Sequence, residues 1–182
     1  MVRLILALLL ASALPLTAET ATKTDAFGTL NPQDTGFGRV MSNIDNGITD
    51  MTTCATGYYI TKSGRHEMAR QLFEACAEAG YTGAMTWMSQ LDNNGLGADY
   101  DPDAAAAWDR RAAEAGDPVG KFNYGLALLR GHGVARDERL GRALVDEAAS
   151  DGLKIARRLQ AAGYDPEEVT PDADNWKYAP LF

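Results

Sequence analysis

The tetrapeptide Ala-Glu-Ala-Gly at residues 77–80 is written again at residues 113–116, and in a weaker form, Ala-Ser-Asp-Gly, at residues 149–152. The spacing is 36 residues both times. Within the same period, Gly-Leu-Gly at residues 95–97 returns as Gly-His-Gly at residues 131–133. A fixed period of this length is typical of stacked helical hairpins. The sequence therefore predicts an all-α fold, an α/α superhelical solenoid of helical hairpins.

Apolar spacing between the repeated glycines predicts seven helices. They are expected at residues 48–62, 65–79, 82–93, 102–115, 119–130, 137–150 and 153–162. Leu72 and Cys76 lie on one face of the second helix, at the spacing of a buried stripe. By the same reasoning Trp108, Leu140 and Leu144 are expected to be buried.

Gly125 lies in the middle of the fifth predicted helix, where Ser89 stands one period earlier. A glycine inside a helix costs up to about 1 kcal/mol relative to alanine. Small residues let two helix axes approach closely. Gly125 is therefore expected to serve helix packing.

The repeats occupy the middle of the chain. Residues 1–18 have a basic start, a short apolar run and a small residue before the break, which predicts a cleaved secretory signal peptide. An uncleaved anchor is the competing interpretation, although a membrane span needs about 20 apolar residues. Residues 19–46 show neither helical nor strand period and are expected to form an arm or linker, disordered or laid along the first helices. Residues 47–163 are the helical repeat domain and residues 164–182 a C-terminal tail.

The charge balance limits the partners. The chain carries 17 Lys and Arg against 25 Asp and Glu, a formal net charge of −8. Loss of Arg3 with the signal peptide would leave the chain more acidic still. Nucleic-acid binding leaves a basic footprint, which is missing here. We therefore expect no nucleic-acid partner and no membrane insertion after signal cleavage, and interpret the charge as serving solubility.

Cys54 and Cys76 are the two cysteines of the chain. An even count in an exported protein suggests a disulfide. The two residues lie on successive helices, at comparable heights above the turn at residues 63–64, so a bridge between them would staple the first hairpin. A loop of this size stabilises by about 3 kcal/mol in the chain-entropy model. Two buried free thiols are the alternative.

The recurring positions resemble the Sel-1-like repeat, a relative of the tetratricopeptide repeat. One copy carries Ala84, Ser89, Gly95, Gly97, Asp101, Ala105, Trp108 and residues 112–116, and the better copy carries Gly120, Gly125, residues 131–134, Asp137, Leu144, Ala148 and Gly152. The resemblance covers residues 84–152 well and residues 65–80 as a trailing half repeat. It implies a superhelix whose concave face holds protein partners.

Exported bacterial members of that family act in the periplasm, in envelope assembly, polysaccharide secretion or the restraint of sensor kinases. The resemblance therefore implies a non-catalytic protein–protein scaffold in the periplasm or outside the cell. A periplasmic regulator that restrains a membrane sensor or secretion machinery is the first alternative. A hydrolase of the family's cysteine-rich branch is the second. It is disfavoured because that branch has a cysteine pair in each repeat, which this chain lacks.

Few residues are candidates for chemistry. His132 lies between two loop glycines and is expected to be an exposed loop residue, and His66 stands at a helix start beside Glu67. Adjacent residues on a helix do not face each other, so this pair is not a metal motif. The sequence carries no zinc, calcium, phosphate-loop or nucleophile-elbow motif. No catalytic residue, metal or cofactor is predicted.

Three positions on the first helix of each hairpin are expected to line the groove, counted from the small residue in mid-helix. They are Thr86, Gln90 and Asn93 in the first full copy, and Phe122, Leu126 and Leu129 in the second. The first set is polar and the second apolar. An apolar stripe on a concave surface suggests a binding site. The alternative is that the last helix and the chain's own tail cover it, since terminal repeats need capping.

The tail carries Trp176, Tyr178, Leu181 and Phe182, which is more apolar than an idle end requires. We expect these side chains to fold back onto the groove near Phe122. The other interpretation is a free aromatic motif that binds a partner.

Overall fold

The structure is a computed structural model that describes residues 36–172, and all regular elements in this range are helical. In chain order they are α1 Phe37–Asp45, α2 Met51–Lys62, α3 His66–Glu78, α4 Thr82–Asn93, α5 Pro102–Glu114, α6 Pro118–Arg130, α7 Glu138–Ser150, α8 Lys154–Ala161 and a 3₁₀ turn, Pro166–Glu168. From α2 to α8 each helix packs against the next. The seven predicted helices are all present, with ends within three residues. No helix in the described range is long and apolar enough to cross a bilayer.

Aspartates at the helix starts explain where several helices begin. The side chain of Asp101 accepts a hydrogen bond from the N–H of Ala104 at 2.9 Å, and 36 residues later Asp137 accepts one from Leu140 at 3.0 Å. These carboxylates satisfy amide groups that have no partner inside the helix. Proline at the first position of α5 strengthens the start, because its fixed φ suits a helix and it has no N–H to lose.

The 36-residue period is visible in the backbone hydrogen bonds of the turns. The same backbone hydrogen bond forms just beyond the ends of α3, α5 and α7. The N–H of Tyr81 donates to the carbonyl of Cys76, that of Asp117 to Ala112 and that of Leu153 to Ala148. The loops at residues 95–97 and 131–133 are likewise equivalent, since Leu96 donates to Leu91 and His132 to Ala127. The repeated sequence thus gives repeated local structure.

The second glycine of each Gly-x-Gly loop is pressed against the start of an earlier helix. A methyl group on Gly97 would lie 2.6 Å from the backbone of His66, at the start of α3. One on Gly133 would overlap the carbonyl of Pro102, at the start of α5. Both glycines also have positive φ, at 73° and 64°. Each loop therefore docks one hairpin onto the one before it.

Two apolar clusters fill the interior. The first joins α2, α3 and α4 and includes Ile60, Leu72 and Leu91. The second joins α6, α7 and α8 and includes Phe122 and Leu159. The junction between them, around α5, contains buried polar groups, which are described below.

The expectation of an arm without helical period is wrong for residues 37–45, which form α1. Phe37, Val40, Met41 and Ile44 of this helix pack against the first apolar cluster. Their spacing is that of an amphipathic helix. The glycines around Phe37 hid this short pattern. Residues 1–35, which include the predicted signal peptide, lie outside the described range.

Three expected core positions are corrected. Leu140 is 40% exposed and Leu144 is half-buried, because the buried face of α7 is instead formed by Gly141, Val145, Ala148 and Ala149. Gly125 explains the shift: a methyl group there would lie 2.9 Å from the carbonyl oxygen of Gly141. The two glycines bring α6 and α7 close together, which confirms that Gly125 serves packing. Trp108 is also only half-buried and lies beneath the guanidinium of Arg111.

Candidate interaction face

Each hairpin is joined to the next through a column of three side-chain positions. A small residue in mid-helix faces a residue of the next helix, which in turn faces a residue of the helix after that. The three columns are Gly57–Phe73–Trp87, Ser89–Asp109–Asn123 and Gly125–Val145–Leu159. The second and third positions repeat every 36 residues. The first column is aromatic, the middle one polar and the last aliphatic.

The middle column is a buried hydrogen-bonded chain. Ser89 donates its hydroxyl to Asp109 Oδ2 at 2.6 Å, and Asn123 Nδ2 donates to Asp109 Oδ1 at 3.2 Å. Asp109 is 3% exposed. Burial raises its pKa from 3.8 to about 8, against the opposing effect of the two hydrogen bonds, and the nearby carboxylate of Asp117 adds a smaller increase. The carboxyl group is therefore neutral at pH 7 and links α4 to α6 through α5.

A small cavity of about 20 Å³, lined by both polar and apolar side chains, opens beside Asp109. This volume has room for about one water molecule. Its lining is contributed by Asn93, Ala106, Asp109, Asn123, Leu126, Ala127, Arg130, His132 and Pro171. His132 is half-buried, and its Nε2 lies 2.8 Å from Asn93 Oδ1. The expectation of an exposed loop residue is therefore wrong for His132, which joins its loop to the end of α4.

The chain after α8 returns across α6. We call residues 169–172 the strap. Arg130 of α6 donates hydrogen bonds to the carbonyl oxygens of Pro166 and Val169. The side chain of Asn123 binds the main chain of the strap. The Nδ2 of Asn123 donates to the carbonyl of Asp172, and the Oδ1 of Asn123 accepts the Asp172 N–H at 2.8 Å. Val169 is buried in the second apolar cluster.

The apolar groove stripe predicted from the sequence is not open. Phe122, Leu126 and Leu129 are at most 5% exposed and pack with α7, α8 and Val169. The capping alternative describes their surroundings, because the last helix and the returning chain cover them. Thr86 is also fully buried. A role of these residues in partner binding stays a prediction, and the structure gives them no free surface.

The other predicted binding residues form two groups, one on α4 and one outside residues 36–172. Gln90 and Asn93 are half-buried on α4. Trp176, Tyr178 and Phe182 lie outside the described range, so their docking stays a prediction.

An exposed aromatic patch lies at the other end of the solenoid and was not found from the sequence. It consists of Tyr58 and Tyr59 on α2 and Trp87 on α4. Tyr59 is 65% exposed, and the rings of Tyr58 and Trp87 are 5.8 Å apart. Tyr58 lies one residue beyond the small Gly57, as Gln90 lies one beyond Ser89 and Leu126 one beyond Gly125. The same spacing therefore predicts Tyr58 as a groove position. We call the surface that runs from this patch across α4 and α6 to the strap the even-helix face.

The predicted disulfide is confirmed. Cys54 on α2 and Cys76 on α3 are bonded, with Cα atoms 5.9 Å apart. The bridge closes the hairpin that carries Tyr58 and Tyr59. Within residues 36–172, no group of three or more His, Cys, Asp or Glu side chains is placed to hold a metal ion.

The geometry defines the class: a solenoid of helical hairpins related by a 36-residue period. No family model matches the sequence, and no curated protein matches it. Among solved structures, a Sel1 repeat protein from Oxalobacter formigenes is 28% identical, covering 69% of this chain and 97% of that one, with a TM-score of 0.57. A protective antigen of uropathogenic Escherichia coli with an SLR fold is 21% identical over 76% of this chain, with a TM-score of 0.50. This chain spans 36% of the antigen's length.

These neighbours confirm the α/α solenoid fold and support the resemblance to Sel1 repeat proteins. Repeat solenoids of this kind present extended surfaces that mediate protein–protein interaction.

Proposed function

We propose that the protein is exported to the periplasm and acts there as a non-catalytic scaffold that holds a protein partner on the even-helix face. The observation that carries this proposal is the strap. Asn123 binds both the N–H and the C=O of Asp172, and Arg130 binds two further main-chain carbonyls. Main-chain recognition of this kind accepts an extended polypeptide largely irrespective of its side chains.

The role of Asp109 supports a scaffold over an enzyme. A buried acid with a raised pKa is a candidate for acid–base catalysis. Here both carboxyl oxygens are engaged by Ser89 and Asn123, and the adjoining cavity has room for about one water molecule. The carboxyl group is thus committed to joining three helices.

Photo-crosslinking in intact cells tests the scaffold. A benzoylphenylalanine at Gln90, on the even-helix face, is expected to trap one protein partner. The same group at Leu140, exposed on α7, is the matched control and should not trap it. Equal trapping from both positions, or none from Gln90, contradicts the proposal. If the trapped partner is a membrane sensor, the regulator alternative is favoured.

Export is tested separately by cell fractionation and by the mass of the purified protein. Cleavage after Ala18 predicts a mature chain that begins at Glu19 and is recovered from the periplasmic fraction. A cytoplasmic protein of full mass contradicts this part of the proposal.

A further inference from the structure

The aromatic patch places exposed apolar side chains on the even-helix face. Tyr58 and Tyr59 are 43% and 65% exposed, and Trp87 is half-buried between Tyr58 and Phe73. The ammonium nitrogen of Lys62 lies 5.5 Å from the ring centre of Tyr58. A cluster of exposed aromatic rings marks an interaction surface.

The strap leads toward this patch. It begins at Arg130, near the end of α6, and its Pro171 lies at the cavity lined by Asn93 of α4. Asp172 is then held by Asn123. Trp87 stands 36 residues before Asn123, at the equivalent position of α4. The chain therefore leaves the described range one repeat away from Trp87, on the same face.

The undescribed chain is long enough to reach the patch. Helices α4 and α6 are in contact, so their axes are about 10 Å apart. An extended chain covers about 3.3 Å per residue, which places Trp176 up to about 13 Å beyond Asp172. Ten residues, 173–182, span up to about 33 Å.

The apolar stripe of α6 offers this segment no open surface. Phe122, Leu126 and Leu129 are already covered by α7, α8 and Val169. Segment 173–182 contains Trp176, Tyr178, Leu181 and Phe182. Aromatic pairs stabilise by about 0.5–1.5 kcal/mol beyond their buried area, which suits Trp176 to a patch of tyrosine and tryptophan side chains.

We propose that residues 173–182 dock on the aromatic patch, with Trp176 against Tyr58 and Trp87, so that the chain's own C-terminal segment covers the even-helix face from α6 to α2. The proposal concerns the protein alone and holds whether or not the face also binds a partner. Where it does, the partner has to displace this segment.

The test is photo-crosslinking within the purified protein at low concentration, with benzoylphenylalanine in place of Trp176. After digestion, mass spectrometry is expected to find intramolecular adducts on α2 between residues 51 and 62, or on α4 between residues 83 and 90. Adducts on other parts of the chain, adducts between two copies, or a yield no higher than that of the same group placed at Leu140 would each overturn the proposal.

A paired substitution checks that the patch itself holds the segment. Tyr58→Ser with Tyr59→Ser is expected to lower the adduct yield on α4 at least threefold. Tyr100→Ser is the matched control, because Tyr100 is 57% exposed and lies outside the patch. A change smaller than threefold overturns the proposal. The three tyrosines are largely exposed, so an unchanged circular-dichroism spectrum is expected and confirms that the variants fold.

Discussion

Asp109 stands where Phe73 stands one repeat earlier and Val145 one repeat later. Its burial raises the pKa to about 8, so the folded protein keeps a proton that the unfolded chain, with a pKa near 3.8, releases. The stability tied to this proton is fully present below about pH 4 and is lost as the pH rises toward 8. The loss reaches about 1.4 kcal/mol per pH unit within that window.

Replacing Asp109 with Asn should remove this pH dependence. Asparagine has the same shape and no charge to bury, so the variant should gain stability relative to the wild type as the pH rises from 5 to 8. Urea unfolding at several pH values measures the difference. Glu114→Gln, at a position on the exposed surface of α5, is the control and should show no such trend. A constant difference between Asp109→Asn and wild type across the range contradicts the raised pKa.

Gly133 should be far less tolerant of alanine than Gly116. Both have positive φ, 64° and 88°, which costs an alanine about 1–2 kcal/mol. A methyl group on Gly116 meets no atom within 4 Å, whereas one on Gly133 overlaps the carbonyl of Pro102. We expect Gly133→Ala to cost at least about 3 kcal/mol and Gly116→Ala about half of that. Thermal or urea unfolding measures both, and equal losses contradict the docking role of the loop.

At the scale of elements, the sequence period correctly predicted α2 to α8, because capping residues and glycines mark where these helices begin or end. Asp101 and Asp137 cap the starts of α5 and α7. Gly80, Gly116 and Gly152, which have positive φ, follow the ends of α3, α5 and α7. Helix α1 was missed because it lies outside the repeat and its apolar pattern is only nine residues long. The strap was missed because residues 169–172 have no period, and its place depends on contacts with distant Asn123 and Arg130.

Arg130 should hold the strap in place. Its guanidinium donates to the carbonyls of Pro166 and Val169, and hydrogen bonds from charged groups contribute about 1.5–3 kcal/mol. Arg130→Met keeps the apolar stem but removes both donors, so amide exchange of residues 167–170 and 172 should accelerate at least tenfold. Arg139→Met, on the exposed side of α7, should leave exchange unchanged. Unchanged protection in Arg130→Met would mean that Asn123 and Val169 suffice.

At the scale of the molecule, the candidate site lies elsewhere than predicted, because equivalent groove positions are exposed in one repeat and buried in another. One position beyond the small residue gives Tyr58, exposed, in the first hairpin and Leu126, buried, in the last. The sequence shows that Leu126 is apolar, but α8 and Val169 decide that it is covered. What covers a terminal repeat is a long-range contact that the repeat pattern does not encode.

The polar junction around Asp109 separates the two apolar clusters, so the two ends of the solenoid should lose structure separately. Contacts run mainly between neighbouring helices, and the two apolar clusters meet at the polar junction around Asp109. In such an array, destabilisation at one end stays local if the junction is weak. Replacing Cys54 and Cys76 together with Ala removes the bridge and should cost about 3 kcal/mol.

Hydrogen exchange of that double variant should show the loss in α1 to α3, while α6 to α8 keep the protection they have in the wild type. The matched control is Gly133→Ala. This substitution disturbs the contact between the loop at residues 131–133 and the start of α5, so it should accelerate exchange around α5 to α7 instead. If both variants accelerate exchange equally along the whole chain, the polar junction transmits stability as well as the apolar clusters do. The column of Ser89, Asp109 and Asn123 would then unite the solenoid into one cooperative unit through its hydrogen bonds.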